Sequence, residues 1–409
     1  MLSIPLARMN RQERILLLLL ASVNFTHILD FMIMMPLGNF LMPHFDISAQ
    51  YFSWIVAAYP VTAFVSGMIT AFFVDQFDRK KVLLLAYSGF IVGTIACGIA
   101  PTASLLMAAR VLTGLFGGLI GAQVLSIIAD TFAYEKRGRA MATIFMAFSV
   151  ASVFGVPFSL YLATLISWHA PFIFIGIVGI VLLPFLKKFL PSVAGHLTTG
   201  QEKQRTSVSA VFQSIFNNRG QVLALMLSGG LMLGHFLIIP FINPYMEFNV
   251  GFTKDQTPLI YMVGGTCALF SSTLIGRMAD KYGKLKLFMI CLVLSLLPIF
   301  LITDMPEIPF VLVLAIFGFW FTFSTGRNIP AQAMISTVVN PAERGRFMSF
   351  NSSFQQLFTG FASIISGMIV YRDEAGRIHN YNWVGYLSVV IVFCMLFIAN
   401  KLAKQQQLT

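Results

Sequence analysis

An aspartate set in an apolar run is the first group in the chain equipped for chemistry. Asp30 lies in Asn24-Phe25-Thr26-His27-Ile28-Leu29-Asp30-Phe31-Met32. An ionised carboxylate is costly in hydrocarbon, so an acid there suits a carrier in which it is charged in one facing state and neutral in another. The structural alternative is a carboxylate held permanently by a cation, and Arg110 is an available partner. Two arginines share this setting. They are Arg110, in Ala108-Ala109-Arg110-Val111-Leu112-Thr113-Gly114, and Arg327, in Ser324-Thr325-Gly326-Arg327-Asn328-Ile329-Pro330. Arg327 is a candidate for substrate contact; Arg110 can act likewise or snorkel outwards. Gly326 and Pro330 beside Arg327 predict a local helix break that exposes carbonyls to a cavity. His27 and His235 titrate near neutrality and can relay protons, or serve as plain hydrogen-bond donors between helices. Gln123, Asn328, Tyr59, Tyr261 and Trp320 are pathway candidates, with packing as the alternative role. Two buried arginines with one buried acid favour an anionic or zwitterionic amphiphile as substrate.

These groups need apolar helices around them, and the composition supplies them. The chain has 409 residues, of which 57% are hydrophobic and 11% charged, with a mean hydropathy of +0.81. A soluble chain of this length cannot hide so much apolar surface behind so few charges. A bilayer core of about 30 Å needs roughly 20 apolar helical residues, and twelve such runs can be counted. They lie near 15–38, 52–74, 82–100, 102–129, 140–165, 170–186, 220–245, 257–279, 286–303, 308–335, 347–370 and 382–400. Helix is the required element because each segment must satisfy its own backbone polar groups. The first run lacks a small-residue cleavage site and reads as a retained helix, not a signal peptide. Cys97, Cys267, Cys291 and Cys394 all fall in apolar runs, so neither a disulfide framework nor a metal site is expected.

Charge placement sets the predicted orientation. Most of the 27 basic residues fall on one side of the runs, among them Arg8, Arg79, Lys80, Lys81, Arg137 and Lys284. Lys254, Arg372 and Arg377 fall on the other side, while Arg110 and Arg327 lie within runs. By the positive-inside bias both termini are cytoplasmic. The net charge of +11 therefore reflects topology, and no nucleic-acid partner is expected. The polar stretch near 187–219 joins the sixth run to the seventh. It divides the chain into an N-terminal bundle (1–190), a linker (191–218) and a C-terminal bundle (219–409).

The two bundles echo each other. Ala71-Phe72-Phe73-Val74-Asp75-Gln76-Phe77-Asp78-Arg79-Lys80-Lys81 follows the second run, and Gly276-Arg277-Met278-Ala279-Asp280-Lys281-Tyr282-Gly283-Lys284 follows the eighth. The two aspartates are 205 residues apart; Arg137 and Arg344 are 207 apart; His27 and His235, like Pro36 and Pro244, are 208 apart. A repeat of half the chain length implies two related six-helix units. Asp75 is placed to meet the positive N-terminal end of a helix from the other half, with Arg79 bridging. Such a latch stabilises one facing state by roughly 1–2 kcal/mol, enough to shift a two-state population about tenfold. Gly114, Gly117, Gly118 and Gly121 are spaced to let the fourth run pack closely on a neighbour.

On these motifs the chain resembles the major facilitator superfamily. The family's loop G-x-x-x-D-x-x-G-R-K is matched by Ala71…Asp75…Asp78-Arg79-Lys80, departing at both glycines, and more closely by Gly276…Asp280…Gly283-Lys284. The Arg110 segment resembles the family's A-x-R-x-x-x-G signature. Gly155-Val156-Pro157 is similar to a reduced antiporter signature whose following glycines are replaced by Phe158 and Ser159. The resemblance implies an all-α membrane protein of twelve helices in two pseudo-symmetric bundles. It also implies that Arg110 faces the central cavity, where it assists proton movement or holds an anionic group. The implied activity is alternating-access transport around a site near the midplane, with proton-coupled export of a small organic compound as the leading expectation. Proton-coupled uptake of a nutrient or siderophore is one alternative, and a non-transporting membrane sensor is another. The chain shows no P-loop, HExxH or paired CxxC, so no nucleotide drive, metal or other cofactor is expected. Loops this short argue against an enzyme. A monomer in the inner (plasma) membrane is expected.

Overall fold

In the computed structural model, residues 9–70, 76–193, 213–306, 308–339 and 344–408 are described. Each of the twelve apolar runs forms helix. The N-terminal part comprises α1 (Arg11–Ile33), α2 (Gly38–Phe45), α3 (Ala49–Thr70), α4 (Arg79–Gly98) and α5 (Ala103–Thr131). It continues through α6 (Tyr134–Val150), a π-turn (Ala151–Gly155), α7 (Val156–Leu165) and α8 (His169–Phe189). The C-terminal part comprises α9 (Arg219–Phe236), a 3-10 turn (Ile239–Phe241), α10 (Ile242–Phe248), α11 (Thr257–Tyr282) and α12 (Lys284–Thr303). It ends with α13 (Phe310–Ser336), α14 (Arg344–Ile369) and α15 (Tyr381–Leu408).

Local sequence explains where these helices start. Asn10 and Glu13 form a reciprocal capping box at α1, with bonds of 2.8 and 2.7 Å. Thr102 caps α5 through the Leu105 amide, and Asn218 caps α9 through the amides of Gly220 and Gln221. Prolines explain the interruptions. The first and seventh runs, expected as single helices, are each broken near the end away from the termini. Pro36 and Pro240 have no N–H to continue the ladder there, and short helices α2 and α10 follow. The fifth run stays helical through Pro157. The ladder is already shifted into a π-turn before it, with the Val156 N–H bonded to the Ala151 carbonyl five residues back. The break expected beside Arg327 is absent: α13 runs unbroken through Gly326 and Pro330.

Among the described residues, eleven of the helical runs are long and apolar enough to cross a membrane. The remaining one, α14, has 26 residues, which at 1.5 Å per residue is also enough. It is more polar because Asn351, Gln355, Thr359 and Ser363 recur at i+4. Asn351, Thr359 and Ser363 are buried. This stripe faces protein: α14 packs along α3 and α9.

The halves meet where α14 crosses α3 and where α11 lies against the π-turn and α7. At the end of the bundle away from the termini, one apolar core spans both halves. It joins Leu37, Leu41 and Phe52 to Phe241, Ile242 and Tyr381. Toward the termini each half has its own core, around Leu83, Ile127 and Leu186 in one and Leu227, Phe288 and Ile335 in the other. Among the described residues the far end is thus joined by one core across the halves, whereas toward the termini each half keeps its own, with Met68 of α3 packed against the second. A two-residue antiparallel hairpin, β1 (Tyr371–Arg372) and β2 (Ile378–His379), joins α14 to α15. Asn249 clamps it through the N–H and carbonyl of Ile378, both at 2.8 Å.

Close approach of α3 and α5 depends on glycine. A side chain at Gly114 or Gly118 would run into the Tyr59 or Ala63 carbonyl, and at Gly117 into the Tyr59 ring. Gly121, expected to share this role, faces open space.

Candidate functional site

Asp30 and Arg110 meet. The Arg110 Nη1 lies 2.7 Å from Asp30 Oδ2, and both side chains are fully buried. Thr94 Oγ1 donates to the other carboxylate oxygen at 3.1 Å. The guanidinium also sits over the Tyr59 ring, 4.7 Å from its centroid. Four helices position this cluster: α1 brings the acid, α5 the arginine, α4 the threonine and α3 the tyrosine. Breaking a buried ion pair by removing one partner costs about 3–5 kcal/mol, because the other charge is left uncompensated. Arg110 Nε and Nη2 and the Tyr59 hydroxyl have no hydrogen-bond partner among the described residues. Gln123, further along α5, is buried with its Oε1 likewise unpartnered. His27 is half-buried beside Tyr59 and Phe90, with ring centroids 6.1 and 5.8 Å away.

The second half carries a topologically matched cluster on α9, α12 and α13. Arg327 is fully buried and donates from Nη1 to Ser295 Oγ at 2.7 Å. His235, half-buried, stacks on Trp320 with centroids 5.0 Å apart and an interplanar angle of 22°. Asn328 Nδ2 donates to the Ser324 carbonyl at 3.1 Å, within its own helix. A row of rings joins the two clusters: Tyr59 to Phe31 at 5.6 Å, Phe31 to Phe236 at 5.8 Å, and Phe236 to His235 at 5.4 Å. The Phe31–Phe236 contact crosses between the halves.

Beyond those rings the far end is closed by polar contacts that sequence reasoning missed. Asn39 on α2 donates to Glu247 on α10. Asn243 Nδ2 donates to the Pro36 carbonyl at 2.9 Å while its Oδ1 accepts from the Tyr261 hydroxyl at 3.0 Å. Lys254 lies 3.9 Å from Glu247 and over the Phe40 ring. The signal was available: Asn39 and Glu247 are 208 residues apart, the offset that also relates the two histidines and the two prolines.

At the terminal end, Arg79 pairs with Asp130 on α5, inside its own half. Asp75 lies outside the described residues, as does most of the linker. Lys80 is half-buried, Asp280 is exposed, Lys284 is half-buried, and Gly276 faces open space. The two copies of the loop motif differ for a visible reason. Gly283 adopts φ +96°, a region open to glycine, whereas its counterpart Asp78 has φ −58°. Asp78 therefore needs no glycine, and its side chain works as a cap. It accepts from the Lys80 amide at 2.9 Å, the Val193 amide at 3.0 Å and the Ser192 hydroxyl at 2.6 Å. Burial alone would raise its pKa, but the Ser192 hydroxyl and the two amides outweigh it and hold the carboxyl below its ordinary range.

Comparison with known proteins gives this architecture a family context. The family model described as Major Facilitator Superfamily matches residues 20–242 and again 224–404. The chain is 24% identical over 379 residues to the uncharacterized MFS-type transporter YceJ of Bacillus subtilis (strain 168), covering 91% of this chain and 93% of that protein. It is 22% identical over 381 residues to Multidrug resistance protein 2 of the same organism, covering 87% and 94%. Among solved structures, a D-xylose-proton symporter superposes with a TM-score of 0.75 at 17% identity, covering 93% of this chain and 97% of that one.

Proposed function

The chain belongs to the Major Facilitator Superfamily, and from that premise we propose proton-coupled export of a small organic compound by alternating access. It is a multi-pass membrane transporter; coupling, direction and cargo are the proposed parts. The observation that carries the reading is the buried Asp30–Arg110 pair. Protonating Asp30 removes the negative charge that compensates Arg110, so proton binding and the placement of α1 against α5 become one event. His27, half-buried next to Tyr59, offers the proton a route to that pair. His235, Gln123 and Asn328 complete the polar lining of the pathway.

With both termini cytoplasmic in the inner membrane, as the basic residues favour, the terminal end faces inward and the shared far-end core faces outward. The latch at Asp75, Arg79 and Lys80 and its echo at Gly276, Asp280 and Lys284 would then close the inner face. Export rather than uptake is supported by Gly155–Pro157, whose π-turn packs against α11 of the other half, and by the likeness to a multidrug resistance protein. Uptake is the second reading, favoured by a fold shared with a sugar–proton symporter. Everted membrane vesicles with an imposed pH gradient, acid inside, test the direction. Accumulation of a transported compound supports export, and depletion contradicts it.

A further inference from the structure

Helix α13 carries three buried groups at i, i+4 and i+7, so they share one face: Trp320, Ser324 and Arg327. Each has unmet hydrogen-bonding capacity among the described residues: Trp320 Nε1, Ser324 Oγ, and Arg327 Nε and Nη2. His235 adds an unpartnered Nδ1 and stacks on Trp320. Buried polar groups in proteins are almost always paired, so a line of four is a feature to be explained. Its chemistry is lopsided. The indole and guanidinium only donate, the hydroxyl can donate, and the guanidinium is permanently charged.

The two arginines differ in one respect. Arg110 has Asp30 as its counter-charge, whereas Arg327 has the neutral Ser295 hydroxyl as its hydrogen-bond acceptor. No carboxylate of the described residues pairs with it. A buried guanidinium without a counter-charge is a site awaiting an anion, and its planar fork suits a carboxylate, sulfonate or phosphate. His235, half-buried, stacks on Trp320 of this face and adjoins Phe236, whose ring meets Phe31 of the other half.

We propose that Arg327, with Trp320, Ser324, Ser295 and His235, binds the anionic group of the transported compound, whose apolar body lies along the Phe31–Phe236 rings. The cargo is thus an organic anion with a flat apolar part. This rests on the transport reading above and assigns its substrate class. It also divides the labour: the N-terminal cluster handles the proton and the C-terminal cluster the cargo's charge.

The test uses the purified full chain at fixed pH, with thermal stability read against aryl carboxylates, sulfonates and phosphates, each paired with its uncharged amide or alcohol. Wild type should be half-saturated by the anions at concentrations at least about tenfold lower than by their neutral partners, the size expected of a charge-assisted bond. Arg327→Gln should abolish that preference, and Ser295→Ala, which keeps the charge, should reduce it only in part. Equal or absent stabilisation by anions and neutral partners in wild type would overturn the proposal. So would a preference that survives Arg327→Gln. Stabilisation by chloride or inorganic phosphate alone, without a further shift from any aryl anion, would also overturn it. Asp30→Asn should retain the anion preference. If that preference holds while no compound moves under a pH gradient, the coupling reading fails and this assignment stands.

Discussion

At the scale of single residues, the molecule concentrates its unusual chemistry in a few buried charges. Asp30, Arg110 and Arg327 were legible from sequence because charged side chains inside apolar runs are costly and stand out. Arg110 could be named as an available partner for Asp30, but Thr94 and Ser295, which complete the two clusters, were not legible, since their contacts depend on how helices pack. The Asp30–Arg110 pair predicts a non-additive mutant cycle. Arg110→Gln alone should destabilise by about 3–5 kcal/mol, and adding Asp30→Asn should recover most of it; thermal midpoints in detergent would show this, and additive losses would contradict it. Asp78, which stands where the family motif has glycine, caps α4 and anchors Ser192 and Val193. Asp78→Ala should cost about 1 kcal/mol at neutral pH. Because the folded-state pKa is depressed, this contribution is present above the unfolded value and is lost as pH falls through the folded one. The gap between wild type and Asp78→Ala should therefore close in acid; a gap independent of pH would argue against the cap.

At the scale of elements, the positions of all twelve runs could be read within a few residues, because the bilayer dictates both length and composition. Departures from straight helix were harder to see. Pro36 and Pro240 interrupt their runs, while Pro157 and Pro330 do not, so proline alone does not decide where a helix breaks. The stripe on α14 is hard to see as well: Asn351, Gln355, Thr359 and Ser363 have plain helical spacing, but polar residues dilute the apolar signal of a membrane span. Glycine spacing was informative in three positions out of four. Gly118→Ala should destabilise by about 1–3 kcal/mol, as overpacking against the Ala63 carbonyl demands. Gly121→Ala, one turn on and facing open space, should be neutral or stabilising by up to about 1 kcal/mol. Equal effects on thermal midpoint would show that α3 and α5 are not held as closely as described.

At the scale of the whole molecule, the described residues share one apolar core between the halves at one end, whereas at the other each half keeps its own. The half-length repeat made two bundles legible, but which end is joined depends on contacts between the halves that no local motif encodes. Asn39 and Glu247, related by the same offset as the histidines, lock the joined end. Asn39→Ala should release that end. Thiol labelling of Leu41→Cys, in a background without the native cysteines, should rise about tenfold for a lost bond worth 1–2 kcal/mol. Unchanged labelling would make the Asn39 contact incidental.

The central claim is that proton binding at Asp30 drives transport. The most direct measurement compares wild type and Asp30→Asn in proteoliposomes, reading both gradient-driven accumulation and substrate exchange without a gradient. Asp30→Asn should abolish the pH-driven accumulation while substrate exchange persists. Gradient-driven accumulation equal to wild type would contradict a coupling role for Asp30.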